Sequence, residues 1–303
     1  MSKILGLRIK KDKINFSDET ILQIKDLRKS YGFPKKKSRK VILNSIDMEL
    51  KKGECLCVVG ENGVGKSTLL KIIIGLIAKD GGEIHINESF GYVPETSINF
   101  QSLSAEENLL YYDNMSAQSS NYVGLLSQMG ISEAKKRKMK YFSKGMSRKV
   151  DIIRALNNNP ALIILDEPFE GLDPKTCSDI IEILKKMKES GKGILMSSHD
   201  MTYVERIADN IFLLEKGKMT QLSRNERIFH ITFECENIDP ISKKIKEFGL
   251  EAVNSQNKYH VAINDESIKN EVIKYLIDCG AKIIKQQYQS LEEEYLETIQ
   301  RSE

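Results

Sequence analysis

No run of about 18 apolar residues occurs in the 303-residue chain, so no bilayer-spanning helix is predicted. The opening stretch, Met1 to Lys10, holds too short an apolar run for a secretory signal, and the expected compartment is the cytosol. Paired cysteines are also missing. Cys55, Cys57, Cys177, Cys235 and Cys279 are scattered, and none forms a C-x-x-C pair. Cys55 and Cys57 share one face of a predicted strand, where core filling is expected rather than a disulfide or a metal site. Neither charge sign dominates: the net charge is +3, which gives no global attraction for a polyanion. What remains is a chain with 40% hydrophobic residues, able to bury a substantial core and long enough for roughly two domains.

One stretch organises the rest. Gly60-Glu61-Asn62-Gly63-Val64-Gly65-Lys66-Ser67-Thr68 fits the phosphate-binding pattern G-x-x-x-x-G-K-[ST] at every fixed position. Glu54 to Val59 before it reads as a short buried strand, and Leu69 to Leu76 after it as the body of a helix. A strand feeding a glycine loop that opens a helix makes an anion cradle. Backbone N–H groups wrap the phosphates, and the helix N-terminus adds partial positive charge. Lys66 is expected to reach the β- and γ-phosphates, and the Ser67 hydroxyl to ligate Mg²⁺.

Residues 1–19 carry no clear motif. Ile21 to Leu27 alternates as a strand, and Val41 to Leu43 and Ile46 to Leu50 resume that pattern after a basic turn, Lys35 to Lys40. That turn reads as a solvated hairpin tip, or as a contact for anionic headgroups. Asp80-Gly81-Gly82 reads as a turn, Glu83 to Ile86 as a strand with His85 facing solvent, and Phe90 to Val93 as another strand. From about 100 to 158 the pattern is helical. Ser104 and Glu107 stand at capping-box spacing, Lys135 to Lys138 read as a solvated helix face, and Ser143 stands at the N-cap of a helix that stops before Pro160.

Ala161 to Leu165 is an unbroken apolar run, the mark of a central strand buried on both faces. Asp166 and Glu167 therefore fall at the carboxyl edge of the sheet, where open α/β sheets bind ligands. Asp166 can hold the Mg²⁺ shell, and Glu167 can polarise an attacking water. Gly171 to Pro174 is a loop before a helix over about 175–190. Gly193 to Ser198 is a further buried strand, which sets His199 at its end, in reach of a γ-phosphate. Ile211 to Gly217 reads as a closing hairpin. From about 225 the pattern runs β-α-β-β-α-β, the ferredoxin-like order, followed by a terminal helix boxed by Ser290 and Glu293. His230 and His260 are expected on the solvated side of their strands.

Over about residues 20–222 the chain resembles the ATP-binding-cassette (ABC) ATPases, on several motifs in the family's order. Tyr31 matches the aromatic residue that stacks on adenine, Gly60 to Thr68 is Walker A, and Glu95 after Gly91-Tyr92-Val93-Pro94 sits at the Q-loop position. Ser143-Lys144-Gly145-Met146-Ser147 sits at the signature, Asp166 and Glu167 close Walker B, Asp173 falls in the D-loop, and His199 is the switch histidine. Two positions depart from the common pattern. Phe142-Ser143-Lys144-Gly145-Met146 replaces L-S-G-G-Q, and Glu95 replaces glutamine. A carboxylate there can ligate Mg²⁺ directly or through water but donates no hydrogen bond. Both replacements resemble a branch of exporter subunits.

The resemblance implies an α/β fold: a P-loop nucleotide-binding core with an antiparallel β subdomain and a helical subdomain near 96–158, spanning 20–224. A small α+β accessory domain over 225–303 would follow. It implies ATP and Mg²⁺ as ligands, with Gly60 to Thr68, Tyr31, Glu95, Ser143, Gly145 and Asp173 around the nucleotide and Ser67, Asp166 and Glu95 around the metal. It also implies a head-to-tail homodimer and a separate integral membrane permease, with the chain at the inner face of the membrane and no nucleic-acid partner. The rival readings are a soluble cassette ATPase acting on a ribosome or nucleic acid, a small-molecule kinase, and a regulator that binds ATP without turnover.

Overall fold

The computed structural model describes residues 19–32, 40–115, 122–222, 228–255, 258–263 and 265–288. Most of the expected basic turn and the whole terminal helix after Ser290 lie outside the described residues. The chain divides into two compact units between Gln221 and Leu222.

In chain order the first unit holds β1 (Thr20–Tyr31), β2 (Lys40–Lys51), β3 (Cys55–Val59), α1 (Lys66–Ile73), β4 (Gly81–Ile86), β5 (Phe90–Val93), α2 (Ala105–Met115) and α3 (Tyr122–Gln128). It continues with α4 (Lys144–Leu156), β6 (Leu162–Leu165), α5 (Pro174–Glu189), β7 (Gly193–Ser198), α6 (Met201–Val204), β8 (Asn210–Glu215) and all but the last residue of β9 (Lys218–Leu222). Strands β2-β1-β4 form an antiparallel sheet, and β5-β6-β7-β3-β8-β9 form a second sheet that is parallel from β5 through β8. The apolar runs predicted as central strands are buried along their whole length in β3, β6 and β7, because helices cover both faces of such a sheet. Helix α1 sends Leu69, Leu70, Ile72 and Ile73 into a core shared with Ile24 and Leu27 of β1 and Leu56 and Val58 of β3. That packing seats the N-terminus of α1 at the end of β3. Cys55, Cys57 and Cys177 are buried in the core, and burial pushes the Cys57 thiol well up.

Register decides which loops become neighbours. Val59 pairs with Ser198, Leu165 with Met196, and Val93 with Leu165. Gly60, Pro94, Asp166 and His199 therefore leave the sheet side by side at its carboxyl edge.

Three local expectations change. Gly81 and Gly82 open β4 rather than forming only a turn, and His85 is half-buried, its Nε2 3.3 Å from Glu83 Oε2. Lys135 to Lys138 is a turn, not a helix face. The backbone there serves α2 and the segment before it: Glu106 N donates to Lys135 O at 2.9 Å, and Met139 N donates to Leu103 O at 2.8 Å. The capping box at the start of α2 is present. Glu107 N donates to Ser104 Oγ at 3.2 Å and Ser104 N to Glu107 Oε2 at 2.7 Å, a bond that holds the Glu107 carboxyl below its ordinary range. Ser104→Ala should lower stability by about 1 kcal/mol. The check is a lower urea midpoint at unchanged m-value.

The second unit holds β10 (Phe229–Glu234), α7 (Asp239–Glu247), β11 (Ala252–Ser255), β12 (Lys258–Ile263), α8 (Glu266–Asp278) and β13 (Lys282–Tyr288). Its sheet runs β11-β12-β10-β13, with antiparallel pairing throughout. Phe229, Ile231 and Phe233 face Ile241 and Ile245 of α7 and Val272 and Leu276 of α8. His230 and His260 lie half-buried rather than solvated, and His260 Nδ1 is 3.0 Å from Thr232 Oγ1.

Candidate functional site

The glycine loop after β3 turns through left-handed backbone. Gly60 has φ 153° and Gly65 has φ 122°, values that side chains resist. Space agrees with conformation. A Cβ on Gly60 would lie 2.5 Å from Leu214 O, and one on Gly65 2.5 Å from Ile42 Cγ2. Gly65 also occupies the N-cap of α1 without a side-chain cap, which leaves the first N–H groups of the helix open to an anion.

A cleft of about 590 Å³ lies over this loop, lined by Tyr31, Asn62, Gly63, Gly65 to Thr68, Glu95, Glu167, Glu170 and His199. Lys66 is buried. Its Nζ donates to Gly60 O at 2.6 Å and Glu61 O at 3.2 Å, and lies 3.1 Å from Glu167 Oε1. That last contact is ionic without hydrogen-bond geometry, since Glu167 Oε1 has no hydrogen-bond partner. Gly60 and Glu61 thus act through their carbonyls, and Val64 packs against the core instead of lining the cleft.

The two carboxylates after β6 have different surroundings. Asp166 is buried, and its Oδ1 accepts from Ser67 Oγ at 3.0 Å and Ser197 Oγ at 2.7 Å. Bonds of about 2.1 Å at right angles would set neighbouring ligands of a small hard cation roughly 3 Å apart, so Ser67 Oγ and Asp166 Oδ1 fit such an ion. Glu167 sits at φ 45°, fixed by its N–H donating to Ser197 Oγ at 3.0 Å. Its Oε2 is 3.0 Å from Nδ1 of His199, and Nε2 of that ring is 3.2 Å from Glu170 Oε2. These two carboxylates meet opposite ring nitrogens, and one ligand atom from each of the three residues lies within 4.8 Å of the others. Tyr31, at the end of β1, is exposed in the cleft with Lys29 Nζ 5.3 Å from its ring centre.

The remaining predicted residues lie elsewhere. Ser143 caps α4 by accepting from Met146 N at 3.2 Å, and it lines a second cavity of about 440 Å³ that shares Glu95 and Glu170 with the cleft. Gly145 abuts α5: a Cβ there would be 2.8 Å from Thr176 Cγ2. Asp173 caps α5 through Thr176 N at 3.0 Å, and its bonds to Thr176 hold its carboxyl below the ordinary range.

Sequence reasoning missed Arg148, Ser197 and Glu170. Arg148 is buried on α4. It donates through Nη1 to Pro94 O at 2.5 Å and through Nη2 to Glu95 O at 2.6 Å, so the helix that Ser143 caps holds the backbone of Glu95. Burial draws its guanidinium down from the ordinary value, opposed by the carboxylates of Asp151 and Asp166. Burial also pushes the nearby Tyr92 phenol up, with the Asp166 charge adding to it. The available signal was register: Arg148 lies four residues before Ile152, on the apolar face of its helix.

The comparisons with known proteins agree with this geometry. Residues 43–170 match the family described as ABC transporter. The lantibiotic transport ATP-binding protein SrtF of Streptococcus pyogenes is 36% identical over 209 residues, covering 66% of this chain and 89% of that protein. This chain is an ABC transporter ATP-binding protein. The linearmycin resistance ATP-binding protein LnrL of Bacillus subtilis is 33% identical, covering 66% of this chain and 68% of that one. Among solved structures, an ATP-binding subunit of an ABC transporter is 28% identical with a TM-score of 0.59, covering 85% of this chain and 100% of that one. A dimeric bacterial ABC transporter cassette is 25% identical with a TM-score of 0.60, covering 67% of this chain and 99% of that one. Proteins of this family bind adenine nucleotide, and the reaction of this ABC ATPase is ATP hydrolysis. Among the described residues no helix is long and apolar enough to cross a membrane.

Proposed function

We propose that the chain is the ATP-hydrolysing subunit of an exporter and drives a separate membrane permease by closing and reopening a head-to-tail homodimer at the inner face of the membrane. The observation that carries this reading is the convergence, at one sheet edge, of the glycine loop, Glu167 and His199 around a single cleft, with Asp166 bonded to Ser67 of its lining. Relatives named for lantibiotic transport, linearmycin resistance and Nod factor export support the export role.

In this reading Tyr31 stacks on adenine, and Gly60 to Thr68 wrap the phosphates. Lys66 turns from the carbonyls of Gly60 and Glu61 to the β- and γ-phosphates. That movement uncovers Glu167 Oε1, which then orients the attacking water, and His199 contacts the γ-phosphate. Mg²⁺, when bound, offsets phosphate charge, and Ser67 and Asp166 would hold it with Glu95. Ser143 and Gly145 of a second copy close over the nucleotide, with Asp173 beside them. The segment near 96–130 is the docking surface for the permease, and residues 225–303 form an accessory domain.

The test is purification of the tagged chain from its native membranes in mild detergent, with mass spectrometry and an ATPase assay. A stoichiometric multi-span membrane protein and vanadate-sensitive turnover are expected. Ribosomal or nucleic-acid partners without a membrane protein would overturn the transport reading. A non-hydrolysable ATP analogue should also move the purified chain from monomer to dimer in light scattering.

A further inference from the structure

Glu170 has no part in the reading above, yet it is built into the site. The turn after β6 is pinned from below by Phe169, which is buried with its ring centre 5.2 Å from that of Tyr203 on α6. Helix α6 begins two residues after His199, so the loop bearing Glu170 and the segment bearing His199 are tied at a second point. Glu170 N donates to Glu167 O at 3.3 Å, which turns the chain back over the cleft. Glu170 Oε2 then lies 3.2 Å from His199 Nε2, a charge contact without hydrogen-bond geometry, while Glu167 Oε2 is hydrogen-bonded to Nδ1 at 3.0 Å. The ring is held from both sides. Its side chain is 40% exposed and that of Glu170 44%, so this outer contact faces the cleft and can open without unpacking the core.

We propose that Glu170 is a positioning residue that competes with the terminal phosphate of ATP for His199 Nε2, and so weights the site toward its empty or ADP-bound form. The inference rests on the reading of the cleft as the ATP site. A carboxylate and a phosphate are both anions, and the outer edge of one ring seats one of them at close range. ATP gains the histidine only by displacing Glu170. ADP presents no phosphate at that position and leaves the contact in place. Glu170 therefore acts on the difference between the two nucleotides, not on nucleotide binding as a whole.

The test is equilibrium displacement of a fluorescent ADP from the purified full chain by ADP and by a β,γ-imido ATP analogue, with Mg²⁺ present. Glu170→Ala should tighten the analogue by about 3–5-fold, the worth of one exposed ionic contact, and leave ADP within about twofold. Glu170→Gln keeps a neutral acceptor and should show a smaller shift in the same direction. In a His199→Ala background the Glu170 effect should vanish, since nothing remains to compete for. Equal shifts for both nucleotides, or no shift, would overturn the proposal. So would a shift that persists without His199, which would make Glu170 a source of repulsion and nothing more. If the parent chain binds neither nucleotide, the ATP-site reading fails, and this inference fails with it.

Discussion

Glu167→Gln should lower the rate of ATP hydrolysis by about 10²–10⁴-fold while leaving nucleotide binding in place. The amide keeps the shape of the side chain and one acceptor oxygen but has no basicity to offer a water. Its surroundings limit other damage. Lys66 loses a counter-charge at 3.1 Å, yet its Nζ still donates to Gly60 O and Glu61 O. The backbone turn is also spared, because the Glu167 N–H bond to Ser197 Oγ does not involve the altered group. Single-turnover phosphate release checks the rate, and light scattering should show an ATP-bound dimer that no longer dissociates. Hydrolysis within about threefold of the parent rate would remove Glu167 from the chemistry, since a positioned general base is worth far more.

Gly91→Ala should destabilise the first unit by about 1–3 kcal/mol or more. Gly91 lies in β5 where α4 crosses it, and a Cβ there would sit 1.9 Å from Ala155 O and 2.7 Å from Ala155 C. Both atoms are helix backbone, so no side chain can swing aside. Either the strand or the helix must move. Moving α4 also moves Arg148, which holds the carbonyls of Pro94 and Glu95, so ATPase activity should fall alongside stability. Thermal unfolding should show a loss of several degrees, at about 2–4 °C per kcal/mol for a domain of this size. An unchanged midpoint would mean that helix and strand do not approach as closely as the structure has them.

These two residues show where sequence reasoning succeeds and where it stops. Glu167 was legible because it follows a buried apolar strand, and the end of such a strand is where α/β sheets place ligands. The glycine loop, the Ser143 cap and the Ser104–Glu107 box were legible for a similar reason: each is closed by bonds between residues a few positions apart. Gly91 was not, because its neighbour Ala155 comes from a helix far along the chain. Lys135 to Lys138 misled because a run of basic residues suits a helix surface as well as a turn, and what chose the turn was a carbonyl needed by Glu106 N.

The sequence by itself determined the parts: buried strands from apolar runs, helix starts from caps, and a phosphate cradle from glycines that tolerate left-handed backbone. Those are local properties, set by a few residues and the backbone between them. The tertiary structure alone decided the company each part keeps. The pairing of Val59 with Ser198 and Leu165 with Met196 put His199 beside the loop, and it set Ser197 level with Asp166. Arg148 was bonded to a carbonyl 54 residues back, and Glu170 was turned onto His199. Contacts of this kind depend on register and packing between distant segments, and the spacing of residues along the chain does not encode them.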